Sequence, residues 1–257
     1  MTPLELFAVI CVFAIARIAL TVRPRSTGRA LAVATAGGEP GVGAAPESAR
    51  TVIIEYLDAF IVAGLVALFL ISFVVRTFYI PSGSMEPTLQ IHDVLLVNEF
   101  EYRVSKPHDE DIAVFPPPLN QPNDFIKRVI AQPGDRLRIH NQVVYRNGIA
   151  LNEPYIKESP TYELEIKNYG IYVDGQPLDP VEANIPPKSA WAAPDRVPDT
   201  CYFMMGDNRM NSEDSHVWGF AQTTGTFFSG ERKGQKASFT GHAFFLFWPP
   251  DRIRILH

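Results

Sequence analysis

Ala59-Phe60-Ile61-Val62-Ala63-Gly64-Leu65-Val66-Ala67-Leu68-Phe69-Leu70-Ile71-Ser72-Phe73-Val74-Val75 runs for 17 residues without a charge, between Asp58 and Arg76. A helix on the surface of a soluble core keeps a polar face, whereas this stretch is apolar all round, as a helix in lipid must be. With its flanks it reads as a transmembrane helix over 52–76, with Phe78 and Tyr79 as interfacial aromatics. An earlier apolar run, Leu4 to Val22, is broken only by Glu5 and Arg17. At ~1.5 Å rise per residue it nearly matches a hydrocarbon core of about 30 Å, which predicts a first transmembrane helix over 1–22. A cleaved secretory signal fits less well. It needs a basic segment before the run, but no Lys or Arg precedes Arg17, and Ala34-Thr35-Ala36 lies more than ten residues beyond the run.

The stretch 23–51 between the runs is rich in Ala and Gly and sets Arg23, Arg25, Arg29 and Arg50 against Glu39 and Glu47. Basic loops stay in the cytoplasm, so the expected topology is multi-pass in the cytoplasmic membrane. Residues 77–257 then form one extracytoplasmic domain, and Arg17 snorkels to the inner face. The formal net charge of −5 carries no footprint of a nucleic-acid binder. With Cys11 in the first apolar run and Cys201 far downstream, the two cysteines are not expected to pair.

Beyond Arg76 the chain breaks into short β-branched and aromatic runs, Asp93 to Val97, Ile112 to Phe115, Arg136 to Tyr145 and His242 to Trp248, separated by Pro, Gly and Asn. This predicts a mostly β domain, with Asn147-Gly148 as a tight hairpin turn and extended loops where prolines are dense. No His/Cys cluster has metal-ligand spacing, and neither a metal nor a cofactor is expected. Ala221 to Phe239, with Gly225, Gly230 and Gly234 among charges, reads as a mobile insertion before the last strand. Trp218 and Trp248 read as core or membrane-facing aromatics.

Three segments carry the chemistry: Pro81-Ser82-Gly83-Ser84-Met85-Glu86-Pro87-Thr88-Leu89, Lys127-Arg128-Val129-Ile130-Ala131-Gln132-Pro133-Gly134-Asp135, and Gly206-Asp207-Asn208-Arg209-Met210-Asn211-Ser212-Glu213-Asp214-Ser215. Singly, each has a plain reading as a turn, a strand with solvated charges or a polar loop. In this order they resemble the signature boxes of the type I signal peptidases, the Ser/Lys proteases of the bacterial inner membrane. Asp111 to Phe115 and Gly241-His242-Ala243 extend the resemblance over most of Tyr79 to Pro249.

The resemblance implies a signal-peptidase-like β-sheet or barrel and a serine endopeptidase that removes signal peptides from exported preproteins, cutting after small residues. Ser84 would be the nucleophile and Lys127 its general base, a role that requires a desolvated amine of lowered pKa. Ser82 and the backbone N–H of Ser84 would form the oxyanion hole. Ser212 would orient the lysine, and Asp207, Arg209 and Asp214 would hold the loop that presents it. Ile80, Met85 and Val129 are candidates for the substrate pocket, and Asp135 reads as a turn residue. The implied partners are signal peptides and membrane lipid. Ser84 follows the second apolar run by nine residues, which puts the cut near the membrane surface. Three positions depart from the pattern: Met210 where Asp is common, and His92 and Glu110 where the family usually has glycine. A dedicated maturation peptidase of the same fold and a catalytically silent membrane-anchored binding domain are the competing readings.

Overall fold

The computed structural model describes residues 3–21, 49–73, 75–229 and 232–256. It divides into a helical unit ending at Phe73 and a β-rich unit that follows. In the helical unit α1 (Pro3–Thr21) packs on α2 (Ala49–Phe73). Glycine at position 64 permits this approach, since an added Cβ would lie 2.8 Å from Ile10 Cγ1. Phe13 and Phe60 stack at 5.7 Å. Arg17 is paired across the two helices: its Nη2 donates to Asp58 at 3.3 Å and its Nε donates to the same carboxylate. In an apolar setting a carboxylate on the adjacent helix satisfies the guanidinium directly. Among the described residues one helix, over Thr51–Leu68, is long and apolar enough to cross a membrane, and the apolar part of α1, Ala8–Ile18, is shorter. Most of the loop expected over 23–51 lies outside the described residues.

The helix expected to run to Arg76 stops at Phe73. Residues 75–79 are extended because they pair along their whole length with the next strand. The strands are β1 (Val75–Tyr79), β2 (Val94–Asn98), β3 (Ile112–Phe115), β4 (Phe125–Ala131), β5 (Leu137–His140), β6 (Val143–Arg146), β7 (Ile149–Ala150), β8 (Leu164–Lys167), β9 (Gly170–Val173), β10 (Gln176–Pro177), β11 (Cys201–Met205), β12 (Ala221–Gln222), β13 (Gly241–Trp248) and β14 (Arg254–Ile255). Two short helices, α3 (Glu101–Val104) and α4 (Ser215–Trp218), interrupt them. The expected mostly β architecture is what the chain adopts.

One antiparallel sheet has the order β1-β2-β13-β3-β4-β11-β12, with β14 added to β13, and the other has the order β10-β9-β8-β5-β6-β7. In the first sheet β3 and β11 are buried at every position. The second sheet alternates buried with half-buried or exposed residues along β5 and β8, as a sheet with one wet face should. Its buried side chains, Leu137, Ile139, Leu164 and Ile166, pack with Ile130, Phe203 and Phe220 into a shared core. A second core, around Leu95, Val114 and Leu246, lies behind the Ser84 segment and includes Ile80 and Met85.

The second sheet is a run of tight hairpins. Asn147-Gly148 has φ of 54° and 82°, the left-handed pair that a type I′ turn requires. The β-branched run over Arg136 to Tyr145 holds two strands, because Asn141 (φ 49°) and Gln142 (φ 66°) form another such turn between β5 and β6. The segment read as a mobile insertion is anchored: Phe227, Ser229, Ala237 and Phe239 are buried, and the Phe227 N–H donates to Gln235 O at 3.0 Å. Its spaced apolar residues are buried while Gly225 and Gly234 turn the chain with φ of 92° and 78°. Residues 230 and 231 lie outside the described set. Trp218 is in the core and Trp248 is half exposed.

His92 and Glu110 both adopt left-handed backbone, with φ of 77° and 67°. This explains why glycine suits these positions, since a Cβ is penalised there. Glu110 holds its conformation through backbone bonds, donating to Val129 O at 3.0 Å and accepting from Arg128 Nη1 at 2.8 Å. Glu110→Gly is expected to raise stability by about 0.5–1 kcal/mol in denaturant unfolding, the relief of left-handed strain less glycine's chain entropy. A loss of stability would show that the carboxylate itself contributes.

Candidate active site

Ser82 is extended (φ −136°, ψ 157°) and opens a single 3₁₀ turn, Gly83–Met85, that carries Ser84. The turn is fixed from the third motif: the Asn208 N–H donates to Ser84 O at 3.1 Å, and Asn208 Nδ2 donates to Gly83 O at 3.0 Å. On β4, Lys127 pairs in register with Ala113 of β3, and its side chain is almost wholly buried. Lys127 Nζ lies 2.8 Å from Ser84 Oγ and 5.4 Å from the centre of the Phe125 ring. Ser82 Oγ lies 3.4 Å from Ser84 Oγ. Two residues 43 positions apart are thus in hydrogen-bond contact at the wall of a cleft of about 650 Å³, which Ile80, Met85, Phe125 and Ile126 also line.

Burial pushes the Lys127 amine down from its ordinary value near 10.5 to about 8, while the carboxylates of Asp214, Glu213 and Asp207 pull it partly back. Among the described residues no carboxylate reaches Lys127 Nζ as a salt bridge. Its neighbour Arg128 is handled in the opposite way. Arg128 Nε and Nη2 grip the Asp207 carboxylate at 2.9 and 2.7 Å, with both side chains buried. An arginine cannot shed its proton, so burial requires a bidentate anion. Asp207 also accepts from Thr88 Oγ1, which ties the first motif to the same pair.

Asp214 is buried and accepts the Gly206 N–H at 3.1 Å and the His216 N–H at 3.3 Å, capping α4. Arg209 Nε donates to Gly206 O at 3.0 Å, and its Nη atoms reach Glu153. Gly206 permits the closest approach in the site, because an added Cβ would collide with the Ser212 hydroxyl and the Ser84 carbonyl. Ser212 lies within the third motif as expected, but its hydroxyl is buried and makes no hydrogen bond to Lys127 or to any other described residue. The lysine bonds Ser84 instead. Val129 does not line the cleft: it is fully buried among Ala113, Phe115, Met204 and Trp218, one pleat too deep along β4 to meet the opening. Ile80 and Met85 do line it.

Asp135 closes a turn, accepting the Gln132 N–H at 2.8 Å. Cys11 and Cys201 are both free. No group of three or more His, Cys, Asp or Glu among the described residues could hold a metal ion. Three contributors carried little signal in the sequence: Asn208, whose motif was recognised but not its role; Arg128, which read as a solvated strand charge; and Glu153, far outside every motif.

The buried pair and the surface pairs separate cleanly by magnitude. Asp207→Asn strands Arg128 in the interior and is expected to cost about 3–5 kcal/mol in chemical denaturation. Arg136→Ala removes the exposed ion pair with Asp195 (side chains 58% and 39% exposed) and is expected to cost less than about 1 kcal/mol. Equal losses would refute the burial argument.

A family model described as "Signal peptidase, peptidase S26" matches residues 53–228, which contain all three motifs. The chain is 36% identical over 208 residues to "Probable signal peptidase I-2" of Synechocystis sp., covering 79% of this chain and 77% of that protein. It is 38% identical over 207 residues to "Probable signal peptidase I-1" of the same organism, covering 78% and 85%. A "Signal peptidase I" of Leptolyngbya laminosa is 31% identical over 217 residues, covering 82% and 87%.

Proposed function

Because the chain belongs to the S26 signal peptidase family, a family of serine endopeptidases that remove signal peptides from preproteins, we propose that Ser84 and Lys127 form its catalytic dyad. The observation that carries this reading is the 2.8 Å contact between Ser84 Oγ and a buried lysine amine. A serine hydroxyl is a poor nucleophile until a base takes its proton, and an amine titrating near 8 is a competent base at mildly alkaline pH.

In this mechanism neutral Lys127 accepts the hydroxyl proton as Ser84 Oγ attacks the scissile carbonyl. The Ser82 hydroxyl and the Ser84 N–H stabilise the oxyanion. The ammonium then returns its proton to the leaving amine, and an acyl-enzyme remains on Ser84. Water, deprotonated by the same lysine, hydrolyses the ester and regenerates both groups. Ser212, with a free buried hydroxyl beside Gly206, is available to the ammonium that forms during the cycle. Ile80 and Met85, with Phe125 and Ile126, supply an apolar wall suited to small side chains before the cut. Asp207, Arg209 and Asp214 support the loop.

We read the chain as anchored in the cytoplasmic membrane by two helices, with 77–257 on the outer side. The charge-free run before Arg76 and the arginines of 23–51 support this.

Detergent-solubilised wild type should cleave a preprotein after an Ala-x-Ala sequence, read by product mass. Ser84→Ala and Lys127→Met should each lose about 10²-fold or more of kcat/KM. Only the neutral amine is active, so kcat/KM should rise with pH to a half-maximum near pH 8. The lysine also binds its proton less well folded than unfolded, so it contributes stability above about pH 10.5 that is lost as pH falls through 8. Wild type should therefore gain stability between pH 8 and 10.5 relative to Lys127→Met. Absence of cleavage by folded wild type would favour a dedicated maturase or a silent binding domain.

A further inference from the structure

After β7 the chain leaves the second sheet and crosses the third motif before β8 begins. Five of the contacts that hold this crossing are made to residues of the three catalytic segments. Glu153 accepts from Arg209 Nη1 at 3.2 Å and from Nη2, in a pair whose side chains are 7% and 0% exposed. The Tyr155 ring lies 3.9 Å from the Arg128 guanidinium carbon, covering the Arg128–Asp207 pair. The Lys157 N–H donates to Asp207 O at 3.0 Å. Lys157 Nζ bonds Glu86 at 2.9 Å, two residues after Ser84. Glu158 forms a parallel bridge with Asn208.

These contacts converge on one relay. Arg209 is held by Glu153 on one side and by Gly206 O at 3.0 Å on the other. Asn208, between them in sequence, holds the Ser84 and Gly83 carbonyls. Arg128, under Tyr155, adjoins Lys127 on β4. A strap of this kind constrains the nucleophile's turn and the base's strand against each other from outside both. Resting on the assignment of Ser84 and Lys127 above, we propose that Glu153 and Tyr155 are positioning residues of the cleavage reaction, holding Ser84 against Lys127 through Arg209 and Arg128. Neither side chain touches the cleft that holds Ser84, so they act on chemistry rather than on substrate binding.

The test uses the full-length protein in detergent with a preprotein substrate, well below the melting temperature. kcat is expressed per folded molecule from near-ultraviolet circular dichroism. Glu153→Gln is expected to lower kcat by about 10²-fold, the scale of small misplacements of reacting groups, with KM within about twofold of wild type. Glu153→Asp, which restores the charge, should recover most of that loss. Tyr155→Leu should lower kcat by about tenfold and carries the test if Glu153→Gln does not fold, because it leaves both buried ion pairs intact. An unchanged kcat per folded molecule in these variants, or a Glu153→Asp no better than Glu153→Gln, would overturn the proposal. Ser84→Ala run alongside separates the two assignments. Cleavage persisting there overturns the dyad and the strap together, while a dead Ser84→Ala with unaffected strap variants overturns the strap alone.

Discussion

Burial of the Lys127 amine without a carboxylate partner is the constraint around which this β unit is organised. An ammonium in a protein interior is costly, and the chain meets that cost by weakening the proton's hold rather than by supplying an anion. The surroundings must then bury this nitrogen without pairing it to a carboxylate while leaving it in reach of one hydroxyl. Strand β4 accomplishes the first by running between β3 and β11, whose residues are buried throughout. The Gly83–Met85 turn accomplishes the second, placing Ser84 Oγ at 2.8 Å.

Lys127 and Arg128 show how neighbouring cations in one strand can be given opposite fates. Alternation in β4 sends their side chains to opposite faces of the sheet. One face offers aromatic surface and a serine, the other a buried carboxylate with two oxygens in register for a guanidinium. Lysine can respond to its face by losing a proton, whereas arginine stays charged and becomes a structural tie. Asp207 thereby links the first motif through Thr88, the second through Arg128 and the third through its own backbone. The three segments pack as one polar cluster, with Arg209 and Glu86 paired to Glu153 and Lys157 outside it.

Legibility followed the range of the interaction. That Ser84, Lys127, Ile80 and Met85 would share one place was readable from their motifs, and the fold sets all four along one cleft. The Asn147-Gly148 turn was readable because its conformation is local, while Asn141-Gln142 makes the same turn without glycine and gave no turn signal. The segment 221–239 looked mobile from its glycines and charges, because the burial of Phe239 depends on partners distant in sequence. Val129 looked available to substrate because its depth in the sheet is set by the Trp218 and Met204 packing above it. His92 and Glu110 stood out as departures from glycine, and their positive φ supplied the reason.

By itself the sequence determined the apolar helix, the mostly β class, the family and the identity of the residues that could react, since composition, periodicity and motif order are properties of the chain alone. Only the tertiary structure decided which of those residues meet. The contact between Ser84 and Lys127, the pairing of Arg128 with Asp207 and the reach of Glu153 to Arg209 span 43, 79 and 56 positions. Whether a lysine is a base or a surface charge depends on its solvation, and solvation is a property of what folds over it.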